Sequence, residues 1–133
     1  MIEWVIPGRL ARSPRPGSAS AGLDAAAVEG WMAVARALRI RSILCLLDDE
    51  QLGRYDHLSG GLLETYRRGG FAVGHVPIRD LQTPPIPEFR LPEIWRLFQE
   101  LPSPLVVHCW AGIDRTGAAV AYLKQRLEAE GAG

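Results

Sequence analysis

The sequence is short of cysteine, of net charge and of long apolar runs, and each shortage excludes a class of protein. Two cysteines in 133 residues cannot form a disulfide framework, so a reducing compartment, by default the cytoplasm, is expected. Fifteen basic side chains balance fifteen acidic ones, which argues against nucleic acid or an anionic membrane as a partner. No apolar run reaches the roughly 18 to 20 residues of a membrane span, and the N-terminus does not resemble a secretion signal.

Patterns that bind metals or nucleotides are missing as well. His57, His75 and His108 are not spaced as metal ligands, either with one another or with the cysteines. No Walker or dinucleotide-binding glycine pattern occurs. We therefore expect neither a metal nor a cofactor. The neighbouring Arg67 and Arg68 are typical of a solvated surface.

The composition is that of a globular protein, with 47% apolar and 23% charged residues, and the length favours one domain over residues 1–133. Apolar runs predict four strands, over residues 4–6, 42–47, 71–78 and 105–108. Helical periodicity predicts four helices, over residues 23–38, 58–68, 87–101 and 115–128. Proline and glycine predict a surface loop over residues 13–18. Strands that alternate with helices indicate an open, mostly parallel α/β sheet flanked by helices.

Ligands of such sheets bind in loops at the carboxyl ends of strands, and the loop after the last strand carries the clearest pattern. Its sequence is CWAGIDR, from Cys109 to Arg115. The backbone N–H groups of so short a loop, with the following helix dipole, can surround an anion. Gly112 permits the turn, and Arg115 offers a planar fork to two phosphoryl oxygens. Because the same groups stabilise a thiolate, we expect an ionised, nucleophilic Cys109, with Thr116 hydrogen-bonded to its sulfur.

A thiolate that attacks phosphorus needs another group to protonate the leaving oxygen. Asp80 is the best candidate, because it follows a strand and begins a loop at the same edge of the sheet. The acidic run at residues 48–50 also lies at this edge, and we interpret it as a solvated strand exit. His108 is expected to orient the backbone rather than to carry a proton, and Arg12 is a candidate for the cleft. Cys45 is interpreted as a buried apolar residue, with a redox partner of the nucleophile as the alternative.

The stretch HCWAGIDRTG, residues 108–117, resembles the signature of the cysteine-dependent protein tyrosine phosphatases. WVIPGRLARSPRP, SILCLLDDE and VPIRDLQTPP are similar to segments of the small, atypical dual-specificity members, so the resemblance covers nearly the whole chain. It implies a protein tyrosine phosphatase-like fold and a phosphatase, tyrosine-specific or dual-specificity, that acts on phosphorylated proteins through a cysteinyl-phosphate. Phosphate, sulfate and vanadate would be ligands or inhibitors.

The resemblance also implies roles for individual residues. Cys109 would be the nucleophile, Arg115 the ligand of the phosphate and transition state, Asp80 the acid and then the base, and Thr116 the residue that assists release. The remaining phosphate contacts would be backbone N–H groups of the loop, those of Trp110, Ala111, Gly112, Ile113 and Asp114.

Two alternatives concern the substrate and the activity. Asp114, directly before the arginine, is similar to the aspartate of myotubularin and Sac-type phosphoinositide phosphatases, so a phosphoinositide or another small phosphate ester is one alternative, with Asp114 as a second candidate acid. The loop has no lysine, which opposes a highly charged headgroup, and Trp110 with Ile113 favours an aryl or less charged substrate. A non-catalytic phosphate-binding module is the other alternative, but such modules typically lack the thiol, the arginine or the acid.

Overall fold

The computed structural model describes residues 1–18 and 22–131, and its centre is one five-stranded sheet. The strands, in the spatial order β1-β2-β5-β3-β4, are β1 (Glu3–Ile6), β2 (Leu10–Ser13), β3 (Ser42–Cys45), β4 (Ala72–His75) and β5 (Leu105–His108). Strand β1 is antiparallel to β2, and all other neighbours are parallel. The predicted mostly parallel α/β sheet is therefore confirmed.

Helices cover both faces of this sheet. They are α1 (Ala25–Ala37), α2 (Asp49–Gly53), α3 (Gly61–Arg68), α4 (Leu91–Glu100), which follows a short 3₁₀ turn, and α5 (Asp114–Gly131). Alternate residues of a strand point to opposite faces, so Ile43 of β3 packs with α1 and α3 while Leu44 packs with α4 and α5. No helix within the described part of the chain is long and apolar enough to cross a membrane.

Strand β2 was not predicted, and the predicted loop over residues 13–18 begins one residue too early. Leu10 and Ala11 are fully buried, and β2 pairs in parallel with β5 along its whole length. Two apolar residues followed by Arg12 do not make a recognisable strand pattern. The strand is fixed by its place between β1 and β5, which the local sequence does not encode.

The acidic run at residues 48–50 is not a strand exit, because it begins helix α2. The Asp48 carboxylate caps the helix by accepting from the Gln51 N–H at 2.8 Å, and Asp49 and Glu50 occupy the first turn, where negative charge complements the helix dipole. Strands β3 and β4 are also shorter than their apolar runs. Regular pairing stops at Cys45 and His75 although buried residues continue beyond both.

Candidate active site

The predicted site residues lie where the parallel strands end. Strands β3, β4 and β5 run in the same direction, so the chain leaves all three at one edge of the sheet. Cys109 directly follows β5, which lies between β2 and β3. Asp80 lies in the segment that follows β4. Both segments thus lie at the edge of the sheet where the strand-end rule predicted them.

Cys109 lies at the bottom of a tight loop. Its side chain is buried, and the Gly112 N–H donates a hydrogen bond to its Sγ at 3.3 Å. Gly112 has a φ of +75°, and a Cβ atom there would lie 2.5 Å from the backbone nitrogen of Pro14. Both the backbone conformation and the space therefore require glycine. An N–H group directed at sulfur stabilises a thiolate.

Two arginines hold the loop from its carbonyl side. The backbone N–H and Nη1 of Arg15 both donate to the Trp110 carbonyl, at 3.1 and 2.9 Å, and Nη2 of Arg12 donates to the Gly112 carbonyl at 2.8 Å. In a planar trans peptide the C=O and N–H groups point in opposite directions. The N–H groups that follow these two carbonyls are thus directed away from the arginines. Arg12, which the sequence suggested as a cleft residue, contacts the loop through the Gly112 carbonyl.

Arg115 is the most constrained side chain of the site. It is 1% exposed, and its Nη1 donates to the Leu46 carbonyl (3.3 Å), the Gln51 Oε1 (2.8 Å) and the Ile78 carbonyl (2.9 Å). Its Nη2 lies 2.9 Å from Asp80 Oδ2 in an ion pair, but neither Nε nor Nη2 makes a hydrogen bond within the described residues. Buried donors without an acceptor are costly. This edge of the guanidinium is therefore suited to the oxygens of an oxyanion.

Asp80 is held by both of its oxygens. Oδ1 accepts from the Leu81 N–H at 2.9 Å, and Oδ2 accepts from Gln51 Nε2 at 3.0 Å and pairs with Arg115. Its side chain is 27% exposed, so the carboxyl group is both fixed and accessible. A fixed, accessible carboxyl group beside a buried arginine is an arrangement that could serve proton transfer to a leaving group.

Sequence reasoning missed Gln51, which contacts both Arg115 and Asp80. Asp48 followed three residues later by a glutamine is a helix-start signal that could have predicted α2. No local signal indicates that the Gln51 amide points into the site, because that depends on the packing of α2 against the loops that follow β4 and β5.

Two other predicted residues are placed differently from expectation. Thr116 is fully buried, and its Oγ1 has no hydrogen-bond partner among residues 1–18 and 22–131, so the expected bond to the Cys109 sulfur is not formed. Asp114 is exposed at the start of α5, and its carboxylate makes no ion pair with the part of the chain that the structure describes. The structure brings Asp80, not Asp114, to Arg115.

His108 is a neutral, orienting residue. Its Nδ1 lies 3.1 Å from the Cys109 carbonyl, and its Nε2 lies 2.9 Å from the Tyr66 hydroxyl. A carbonyl can only accept, so Nδ1 carries the proton and Nε2 accepts from Tyr66. Complete burial lowers the pKa of His108 from 6.5 to about 4. This imidazole therefore fixes the backbone at Cys109 and adds no positive charge.

Cys45 behaves as the buried apolar residue that its strand predicts. It is fully buried, and burial raises the pKa of its thiol to about 12. Both cysteines are free. Cys45 is thus a neutral thiol in the core.

A cleft of about 290 Å³ adjoins the site, and Gln51, Arg54, Arg79 and Asp80 contribute to its walls. A larger concavity of about 500 Å³, lined in part by Trp95, includes residues that precede β5 and so lies toward the opposite edge of the sheet. Among the described residues, no group of three His, Cys, Asp or Glu side chains is arranged to hold a metal ion.

Comparison with known proteins agrees with this geometry. The family model described as "Polymorphic toxin system, DSP-PTPase phosphatase" (Tc-R-P) matches residues 19–126. The chain belongs to this phosphatase family. No curated protein sequence matches the chain.

Solved structures that share the fold include the following two. One is the core catalytic domain of SIW14 from S. cerevisiae, a PP-IP phosphatase in complex with citrate, with a TM-score of 0.64 and 21% identity over 93% of this chain and 64% of that one. The other is a cysteine-to-serine variant of P. aeruginosa TpbA in complex with phosphotyrosine, with a TM-score of 0.52 and 16% identity over 90% of this chain and 65% of that one. This chain therefore spans less than two thirds of the length of either structure.

The lowered pKa of His108 predicts a pH-dependent stability. Between pH 6.5 and about 4 the unfolded chain binds a proton at this imidazole that the folded protein does not bind. The free energy of unfolding should consequently fall by about 3 kcal/mol, because of this group, as the pH falls through this window. Below about pH 4 the group should cause no further change in the free energy of unfolding. Denaturant unfolding at a series of pH values measures the slope.

His108→Asn should flatten that slope, whereas His57→Gln, which alters an exposed histidine, is the matched control. An unchanged slope in His108→Asn would show that this imidazole does not titrate between the folded and unfolded states as described.

Proposed function

We propose that the protein hydrolyses phosphate monoesters through a cysteinyl-phosphate, with phosphotyrosine in proteins as the preferred substrate and phosphoserine or phosphothreonine as secondary ones. The observation that carries the proposal is the buried edge of Arg115, whose Nε and Nη2 have no hydrogen-bond acceptor within the described residues and whose Nη2 makes an ion pair with Asp80. The Cys109 sulfur, with an N–H group directed at it, supplies the nucleophile.

In the first step the Cys109 thiolate attacks phosphorus. The S–P bond forms as the P–O bond to the leaving group breaks, and protonated Asp80 gives its proton to that oxygen, which departs as an alcohol or phenol. The charge on the equatorial oxygens is neutralised by the loop N–H groups and by Nε and Nη2 of Arg115.

In the second step water hydrolyses the intermediate. The Asp80 carboxylate takes one proton from the attacking water, the new P–O bond forms, and the S–P bond breaks to return the thiolate and release phosphate. The Thr116 hydroxyl, a buried donor without a partner in the described structure, is available to the departing sulfur. One carboxyl group thus serves both steps, and its protonation state is restored at the end.

A small, highly charged phosphate ester is the second candidate substrate, and two arginines favour it. The guanidinium carbon of Arg15 lies 4.0 Å from the centre of the Trp110 ring, and that of Arg54 lies 5.0 Å from it. These cations stand beside a loop that has no lysine of its own, and SIW14 is described as a PP-IP phosphatase. Against this candidate, the exposed Ile113 and the Trp110 ring offer apolar surface suited to an aryl ring.

A cytoplasmic site of action stays a prediction, and it is motivated by the two free thiols.

Replacement of the nucleophile should separate binding from turnover. Cys109→Ser should reduce hydrolysis of p-nitrophenyl phosphate by roughly three orders of magnitude or more, since a neutral hydroxyl replaces the thiolate. Inorganic phosphate should still bind, because the loop and Arg115 are unchanged; calorimetric titration measures this. As a control, Cys45→Ala at the other, buried cysteine should leave the turnover of p-nitrophenyl phosphate unchanged. Substantial residual hydrolysis by Cys109→Ser would defeat the mechanism.

Replacement of the acid should matter most for poor leaving groups. Asp80→Asn should lower kcat for phenyl phosphate by roughly 100-fold or more, and much less for p-nitrophenyl phosphate, whose leaving group needs little protonation. Asp114→Asn is the matched control and should change neither value appreciably. A leaving-group-dependent loss in Asp114→Asn instead would assign the acid to that residue.

Substrate preference distinguishes the two candidates. We expect kcat/KM for a phosphotyrosine peptide to exceed that for an inositol polyphosphate or a phosphoinositide in vesicles by at least about tenfold, which corresponds to 1.4 kcal/mol of transition-state stabilisation. Phosphate release measures all three on one scale. The reverse order would favour the charged ester and assign Arg15 and Arg54 to its recognition.

A further inference from the structure

Gln51 joins the two groups that the proposed chemistry uses. The residue is 8% exposed, and its amide lies between Arg115 and Asp80. Its Oε1 accepts from Arg115 Nη1 at 2.8 Å, and its Nε2 donates to Asp80 Oδ2 at 3.0 Å. No other described side chain hydrogen-bonds to both.

The orientation of this amide follows from the chemistry of its neighbours. A guanidinium has donors only, so it must face Oε1, and this leaves Nε2 to donate to the carboxylate. A flipped amide would lose both bonds and place a donor against a donor. The backbone of Gln51 is fixed as well, since its N–H donates to the Asp48 carboxylate at the start of α2.

The hydrogen bond to Arg115 does not by itself explain why a glutamine occupies this position. Nη1 also donates to the Leu46 and Ile78 carbonyls, so two of its three acceptors remain if the amide is removed. The contact to Asp80 is less replaceable. Apart from Gln51 and Arg115, the carboxylate is bonded only to the Leu81 N–H within the described residues.

When a phosphate is bound, the Gln51 contact to Asp80 becomes more important than the Gln51 contact to Arg115. Arg115 Nη2 lies in the ion pair with Asp80 and, like Nε of the same side chain, makes no hydrogen bond within the described residues. When Nη2 turns to a phosphate oxygen, its attraction for Asp80 weakens. The Gln51 amide is then the side chain that keeps the carboxyl group beside the arginine and near the leaving oxygen.

We propose that Gln51 is a positioning residue that holds the general acid Asp80 at the phosphate-binding arginine during leaving-group departure. It acts through Asp80 rather than on the substrate, and the inference rests on the proposed function. Its consequence is specific, because a misplaced acid slows only those reactions whose leaving group needs a proton.

The test is the dependence of kcat on the leaving group in Gln51→Met, which keeps the length of the side chain and removes both hydrogen bonds. We expect a loss of roughly tenfold with phenyl phosphate, a part of the 10² to 10⁴ that a general acid supplies, and less than about twofold with p-nitrophenyl phosphate. Inhibition by inorganic phosphate should change by less than about threefold, because Nη1 keeps two carbonyl acceptors. Gln99→Met, an exposed glutamine on α4, is the matched control.

Gln51→Leu replaces the methionine variant should that fail to fold. It also removes both hydrogen bonds and adds no charge beside Asp80, so the same selective loss is expected. In the Asp80→Asn background, the change at residue 51 should cost little more, since both substitutions remove one function.

An equal loss with both substrates, or losses that multiply in the double variant, would overturn the positioning role and leave Gln51 a structural residue. A wild-type protein that hydrolyses neither aryl phosphate would overturn the proposed function itself. An active wild type with a uniform loss in Gln51→Met would overturn the positioning role alone.

Discussion

The site depends on the burial of one guanidinium. A cation that is removed from water must be surrounded by acceptors, or the protein pays a desolvation cost of several kcal/mol. Arg115 obtains its acceptors from three different places: the chain that follows β3, the chain that follows β4, and helix α2. The loops at the carboxyl edge of the sheet therefore have to close around this residue. The same closure brings Asp80 to within 2.9 Å of it.

The loop from Cys109 to Arg115 has a second and separate support. Arg12 of strand β2 and Arg15, two residues beyond its end, donate hydrogen bonds to the Gly112 and Trp110 carbonyls of the loop. The Trp31 indole of α1 in turn donates to the Ser13 hydroxyl at the end of β2. Two carbonyls of the loop are thus bonded to arginines, while the Gly112 N–H donates to the Cys109 sulfur. The arrangement is built from backbone orientation more than from side-chain charge.

The parts of this site that depend on local sequence could be predicted, whereas those that depend on tertiary packing could not. Cys109, Gly112 and Arg115 have a fixed spacing within one loop, and that spacing alone pointed to an anion site beside a thiol. Asp80 was predicted because parallel strands end at one edge, which is a rule of the fold rather than of the motif. Strand β2 was not predicted because two apolar residues do not make a recognisable strand pattern. The place of Gln51 in the site was not predicted because it depends on contacts with side chains that are distant in the sequence. The catalytic roles themselves stay predictions.

The neutrality of His108 has a consequence for the response of the protein to ionic strength. The imidazole next to Cys109 carries no charge, and the Cys109 sulfur accepts from the Gly112 N–H. In the proposed reaction, the charge that neutralises a bound anion is therefore the buried guanidinium of Arg115. Salt at about 0.1 M screens exposed charges beyond about 10 Å but has little effect on buried ones. The cations that added salt can reach are those at the rim, such as the exposed Arg54 beside Trp110. In the proposed reaction, salt would thus change how strongly the surface attracts charged substrates and would leave the step at sulfur nearly unchanged.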